Sequence, residues 1–195
     1  MLKKGLLYII IVLISSVVCG QTDYNQVIRI DYEDYYEMIS VSVSDPGYDR
    51  IEVETKYYWF SKGQIHFSYG SYSGKLLNGE YLRYYSNNNL KEKGEFKNGV
   101  KSGKWVEWYP NGRIKEMTDL KNGKLHGKKM IYSDLGHLIK AADYKDNMLH
   151  GMIRIYNDSL VSISNYCNGK EVIDLPKHNK GGFISRLLKK RAKND

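Results

Sequence analysis

A chain of 195 residues with 30 basic and 22 acidic side chains carries a formal charge of +8. At roughly 100–200 residues per domain, that length fits one domain or a short repeat array with extensions. A hydrophobic fraction of 42% excludes a multi-span membrane protein, 13% aromatic residues argue against a disordered chain, and two cysteines exclude a disulfide-dense miniprotein.

Residues 1–20 read as a secretory signal peptide: Lys3 and Lys4, an apolar run from Leu6 to Ile14, and a small-residue exit at Gly20. The run is shorter than the ~20 residues that span a bilayer comfortably. Val18 and Gly20 suit cleavage before Gln21, which removes two lysines and leaves a charge of +6. Lipoprotein anchoring at Cys19 is the less favoured alternative, because Ser16-Val17-Val18 precedes the cysteine where a Gly, Ala or Ser is expected directly before it. The chain is therefore expected to be exported to a periplasm, cell envelope or medium. Cys167 is then left without a partner in the same chain and reads as a small hydrophobe in a strand.

Residues 21–54 read as an acidic β cap. Val27 to Tyr32 and Ile39 to Val43 alternate like strands, and Asp45-Pro46-Gly47-Tyr48 is a turn leading to a further extended stretch, Ile51-Glu52-Val53-Glu54. The cap is expected to cover the edge that the following array would otherwise expose. Asp31, Glu33, Asp34 and Glu37 form an acid cluster without the spacing of a calcium loop, so a solvated face is the expected role.

Residues 79–173 are dominated by a period. Gly79, Gly103, Gly127 and Gly151 stand 24 residues apart, and an aromatic follows each five residues later: Tyr84, Trp108, Tyr132 and Tyr156. Leu90, Ile114 and Leu138 recur in the same frame, as do Phe96, Leu120 and Tyr144. Each unit reads as two short strands joined by a turn, with Asn98-Gly99, Asn122-Gly123 and Asn168-Gly169 reversing the chain between units. On the first strands Leu82 with Tyr84, Val106 with Trp108, and Met130 with Tyr132 share a face. The return strands alternate less cleanly, since Glu92, Glu116 and Lys140 fall on the apolar parity, which leaves a bulge or a half-exposed sheet open. The aromatic ladder as a whole reads as core packing in preference to a ligand platform. Neighbouring hairpins must pair edge to edge to bury a shared face.

Gly103-Lys104-Trp105, Trp108-Tyr109, Asn111-Gly112, Ile114-Lys115 and Lys121-Asn122-Gly123-Lys124-Leu125-His126-Gly127 resemble the bacterial MORN-repeat variant, known as the YwqK-type antitoxin family. The resemblance covers about residues 72–171. Upstream, Tyr57-Tyr58-Trp59-Phe60, Lys62-Gly63 and Ile65 to Tyr72 look like a further degenerate unit, assigned to residues 55–78. The resemblance implies an all-β fold, an elongated antiparallel sheet of tandem β-hairpins, with no enzymatic activity in the repeat. Its antitoxin label sits uneasily with export, because a cytosolic toxin is not neutralised from outside the cytosol.

Residues 174–195 form a basic tail. Phe183, Ile184, Leu187 and Leu188 have helical spacing, interleaved with Arg186, Lys189, Lys190 and Arg191. A short C-terminal helix is expected, either packed over the last hairpin or lying on an anionic membrane surface, in which case those four cations are the membrane-binding residues. Export argues against nucleic acid as the partner.

No catalytic constellation, metal-ligand spacing or phosphate loop emerges, so no cofactor is expected. His126 and His150 share one repeat position, where loop polarity is a sufficient account. The expected role is a non-enzymatic scaffold that binds a protein or envelope component through one face of the sheet. Trp105, Tyr109 and Arg113 are its candidate partner-binding residues, because aligned aromatic and cationic side chains suit interfaces.

Overall fold

The computed structural model describes residues 25–43, 51–157 and 160–172. The expected signal peptide, the turn at Asp45-Pro46-Gly47-Tyr48 and the C-terminal helix with its four cations lie outside those residues. The thirteen strands among these described residues all pair antiparallel. They are β1 (Asn25–Asp31), β2 (Tyr35–Ser42), β3 (Lys56–Ser61), β4 (Gln64–Tyr69), β5 (Lys75–Tyr85), β6 (Leu90–Lys97) and β7 (Val100–Trp108). The rest are β8 (Ile114–Lys121), β9 (Lys124–Tyr132), β10 (Leu138–Lys145), β11 (Met148–Asn157), β12 (Leu160–Cys167) and β13 (Lys170–Val172).

Two kinds of turn alternate along the array. Asn98-Gly99, Asn122-Gly123, Asp146-Asn147 and Asn168-Gly169 each place two successive residues at positive φ, the mirror-image turn whose twist matches that of the flanking strands. On the opposite edge Asn88, Gly112 and Gly136, 24 residues apart, hold the single left-handed position of a longer turn. That turn is closed by Tyr85 N–H to Asn89 O, Tyr109 N–H to Arg113 O, and Ser133 N–H to His137 O, at 2.8 Å each.

The uneven alternation of the return strands has its cause in the register. Within each hairpin the pairing shifts between Arg83 and Tyr84, between Glu107 and Trp108, and between Leu138 and Lys140, so that one residue of the return strand, Lys91, Lys115 or Ile139, has no opposite number. Each bulge inserts a residue and resets the parity.

The strand order is continuous except at one place. β2 pairs directly with β5, so the β1–β2 hairpin forms one edge of the array, and the β3–β4 hairpin stands off the path. β3 touches β5 in register only at Trp59↔Leu76 and Phe60↔Lys75. The expected degenerate unit is thus a hairpin, turned at Lys62-Gly63, but it does not stack in line with the others. It lies over one face of the sheet, where Tyr58, Phe60 and Ile65 pack against the buried Ile28, Ile30, Ile39, Val41, Leu77, Tyr81, Phe96 and Trp105. The expectation of an extended Ile51–Glu54 is corrected: the segment turns, with Thr55 N–H donating to Glu52 O at 3.0 Å and Thr55 Oγ1 to the Glu52 carboxylate at 3.0 Å.

Candidate interaction surface

Cross-strand register assigns side chains to two faces, because directly opposed residues project from the same side. The covered face carries Ile39, Tyr81, Gly94, Trp105, Thr118, Lys129, Ala142, Ile153 and Ser164 in one row. Every buried hydrophobic of the repeats belongs to this side.

The open face carries the residues that define the repeat. One row runs Met38, Leu82, Lys93, Val106, Met117, Met130, Ala141, Arg154 and Ile163. A second runs through Tyr36, Tyr84, Leu90, Trp108, Ile114, Tyr132 and Leu138 to Tyr156 and Val161. From Leu82 to Tyr132 these apolar side chains are half-buried, none of them buried. Neighbours in the plane of the sheet cover their flanks: Tyr36 stacks on Tyr84 at 4.7 Å, and the Tyr132 hydroxyl meets the Met130 sulfur at 3.5 Å. Toward β12 the face opens further, Val161 being 53% and Ile163 58% exposed. Among the described residues these two rows pack along the sheet rather than against a second layer, whereas Phe96 and Leu120 of the same period join the core as expected.

The three candidate residues separate. Trp105 is 5% exposed, edge-on to Phe96 at 5.1 Å, with Nε1 donating to Ser102 O at 3.1 Å and the Lys101 ammonium 3.6 Å above its ring. It is a core residue, and its placement corrects the expectation of a partner contact: Gly94, directly across the strand pair, leaves the space that the indole fills. Tyr109 is half-buried and donates to Tyr132 O at 2.9 Å, repeating the bond from Tyr85 to Trp108 O at 2.8 Å one unit earlier. Arg113 is exposed, its guanidinium 3.3 Å from Asp134 O. Tyr109 and Arg113 thus tie one turn to the next, as do Asn89 to Pro110 O and Asn111 to Asp134 O at 2.9 Å each. The opposite edge has its own ladder, from Gly99, Gly123, Asn147 and Gly169 N–H to the carbonyls of Leu77, Lys101, Leu125 and Leu149, which are spaced 24 apart.

His126 and His150 serve those same edge contacts, with Nδ1 3.2 Å from Asp146 Oδ1 and Asn168 Oδ1 respectively. Among the described residues no group of His, Cys, Asp or Glu is placed to hold a metal ion.

The acid cluster of the cap divides: Asp31, Glu33 and Asp34 are exposed as expected, and Glu37 is not. Glu37 is 2% exposed on the covered face. It accepts from Tyr81 Oη at 2.8 Å and Arg83 Nε at 2.8 Å, and its second oxygen accepts from Tyr32 Oη at 3.3 Å. Arg83 also reaches Glu92 at 3.5 Å, and Lys101 pairs with Glu92 at 3.0 Å. Burial, then the Glu37 carboxylate, pushes the Tyr32 and Tyr81 hydroxyls well above the usual phenol range. Burial alone would lower the Arg83 pKa, but Tyr81 and Glu37 outweigh it and raise it. A solvated role holds for Asp31, which among the described residues pairs with Arg29 on its own strand at 2.7 Å.

No curated protein and no solved structure matches the chain. Residues 77–98 and 101–122, the β5–β6 hairpin and the strands β7 and β8 with their turn, each match the MORN repeat variant family, which agrees with the tandem hairpins seen in the fold.

Proposed function

We propose that the chain is an exported, non-enzymatic repeat scaffold that binds a protein or envelope partner through the open face of its sheet. One observation carries this reading: two mainly apolar and aromatic rows, interrupted by Lys93 and Arg154, run across β5–β12 with no second layer above them among the described residues. A sheet with an apolar face ordinarily buries it against another element. The test is capture from envelope fractions by the immobilised chain, wild type against a Leu82→Glu/Met130→Glu double variant. Saturable capture that the variant loses supports the reading, whereas equal capture by both or no saturable capture overturns it. Cell fractionation with mass spectrometry of the mature N-terminus tests export, a start at Gln21 being the expected result.

The YwqK-type antitoxin resemblance supplies a different reading, immunity against a toxin, which an exported chain serves only against a target outside the cytosol. The basic tail supplies a third, attachment to an anionic membrane through Arg186, Lys189, Lys190 and Arg191. Its signature in liposome sedimentation is binding that salt weakens and that deletion of residues 177–195 abolishes.

A further inference from the structure

The β3–β4 hairpin covers the sheet incompletely. Between it and strands β2, β5 and β6 lies a groove of about 450 Å³, within the range of small-molecule sites and on the face opposite the proposed docking surface. Its charges do not cancel. Glu37 and Glu92 are each already paired, with Arg83 and Lys101. Lys56 also lines the groove, its ammonium 3.7 Å from the Phe67 ring centroid and 5.0 Å from that of Tyr58. Lys91, outside the lining itself, stands 5.5 Å from the ring of Tyr35, which does line the groove, and 5.1 Å from that of Tyr85. Among the described residues neither lysine has a carboxylate partner, so their N–H donors face only rings. A cation–π contact holds an ammonium in place but leaves those donors free to take an anion.

The geometry points to a binding site in this groove for a sugar acid or sugar phosphate. The anionic group meets Lys56 within the groove, with Lys91 at its Tyr35 edge. The sugar ring lies against Tyr35 and Tyr58, and its hydroxyls face a floor of carboxylate, guanidinium and phenol. Both charge and ring are needed: a bare anion would leave the aromatic walls unused, and a neutral sugar would leave the two lysines unpaired.

The test is calorimetric titration of the full chain with glucuronate, glucose 1-phosphate, glucose and inorganic phosphate. Saturable binding of either anionic sugar, at least tenfold tighter than glucose or inorganic phosphate, is expected. Binding by one anionic sugar and not the other identifies which anionic group the groove takes. Lys56→Met and Lys91→Met should each weaken it at least threefold, and together at least tenfold, with an unchanged melting temperature as the control for folding. The Leu82→Glu/Met130→Glu variant of the open face should bind these sugars as wild type does, so the two sites fail independently. Equal binding of glucose, equal binding of inorganic phosphate, no saturable binding of either anionic sugar, or full affinity in the folded lysine variants would overturn the assignment.

Discussion

Glu37 shows how strongly one side chain can be redefined by its partners. The nearby acids Asp31, Glu33 and Asp34 are exposed, yet Glu37 sits beneath the β3–β4 hairpin with Arg83 and two phenols around it. Glu37→Gln leaves Arg83 with Glu92 and takes the charged acceptor from two phenols, so it is expected to cost about 1–3 kcal/mol in urea melts. The phenols give a pH signature. Because Tyr32 and Tyr81 hold their protons above the ordinary phenol pKa of about 10, the stability they contribute is intact below that pH. It falls as pH rises further, since the unfolded chain ionises first. Melting temperatures from pH 8 to 11 should decline above pH ~10, and less steeply in a Tyr81→Phe variant. Gly94 is the mirror case, a residue defined by what it lacks: a Cβ there would overlap the Trp105 indole. Gly94→Ala is expected to destabilise by about 1–3 kcal/mol, with blue-shifted tryptophan fluorescence lost as the ring is displaced.

At the scale of the element, the unit of construction is the hairpin plus its couplings to the next hairpin. The bulge in each repeat sets side-chain parity, and the two edge ladders set spacing. Gly127 illustrates the coupling: with φ at +115° it leaves room for the Asp119 carboxylate, whose Oδ2 accepts from Lys128 N–H at 3.0 Å. Asp143 and Met152 N–H repeat the arrangement at 3.3 Å. The tyrosine ladder runs from Tyr85 and Tyr109 and then stops, because the equivalent residue in the next unit is Ser133. Tyr109→Phe should therefore cost about 1 kcal/mol, the ordinary net worth of one hydrogen bond, and Tyr85→Phe a similar amount. Their effects should couple in the double variant by about 0.5 kcal/mol or more, since the Trp108 carbonyl that accepts from Tyr85 is joined directly to Tyr109.

Across the whole molecule, thickness is unequal. Among the described residues the array is two-layered where the β3–β4 hairpin covers β1–β7 and single-layered beyond, and the large core cluster ends at Trp105. In a repeat array stability approximates a sum of unit and neighbour terms, so it should follow that gradient. Amide hydrogen exchange is expected to be slowest in β2, β5 and β6 and progressively faster toward β11 and β12. Uniform protection across the sheet would contradict this. The uncharged β12, with Leu160 73% exposed and β13 pairing only with Asn165, Tyr166 and Cys167, should be the first to open.

The 24-residue period by itself determined the all-β class, the hairpin as the unit, both turn positions and the face shared by Leu82 with Tyr84 and Val106 with Trp108. These follow from local chemistry: Asn-Gly accepts positive φ, and strand side chains alternate. The irregular return strands also announced a bulge or an exposed face, though not which. Only the tertiary structure decided that Trp105 is core and not a contact, that Glu37 is buried, and that the degenerate hairpin leaves the path to lie over the sheet. Each of these depends on what stands opposite in a neighbouring strand or across a second layer, over separations of 46 residues from Glu37 to Arg83 and 44 from Glu37 to Tyr81. A periodic pattern fixes which side chains share a face; it carries no term for which face acquires a cover.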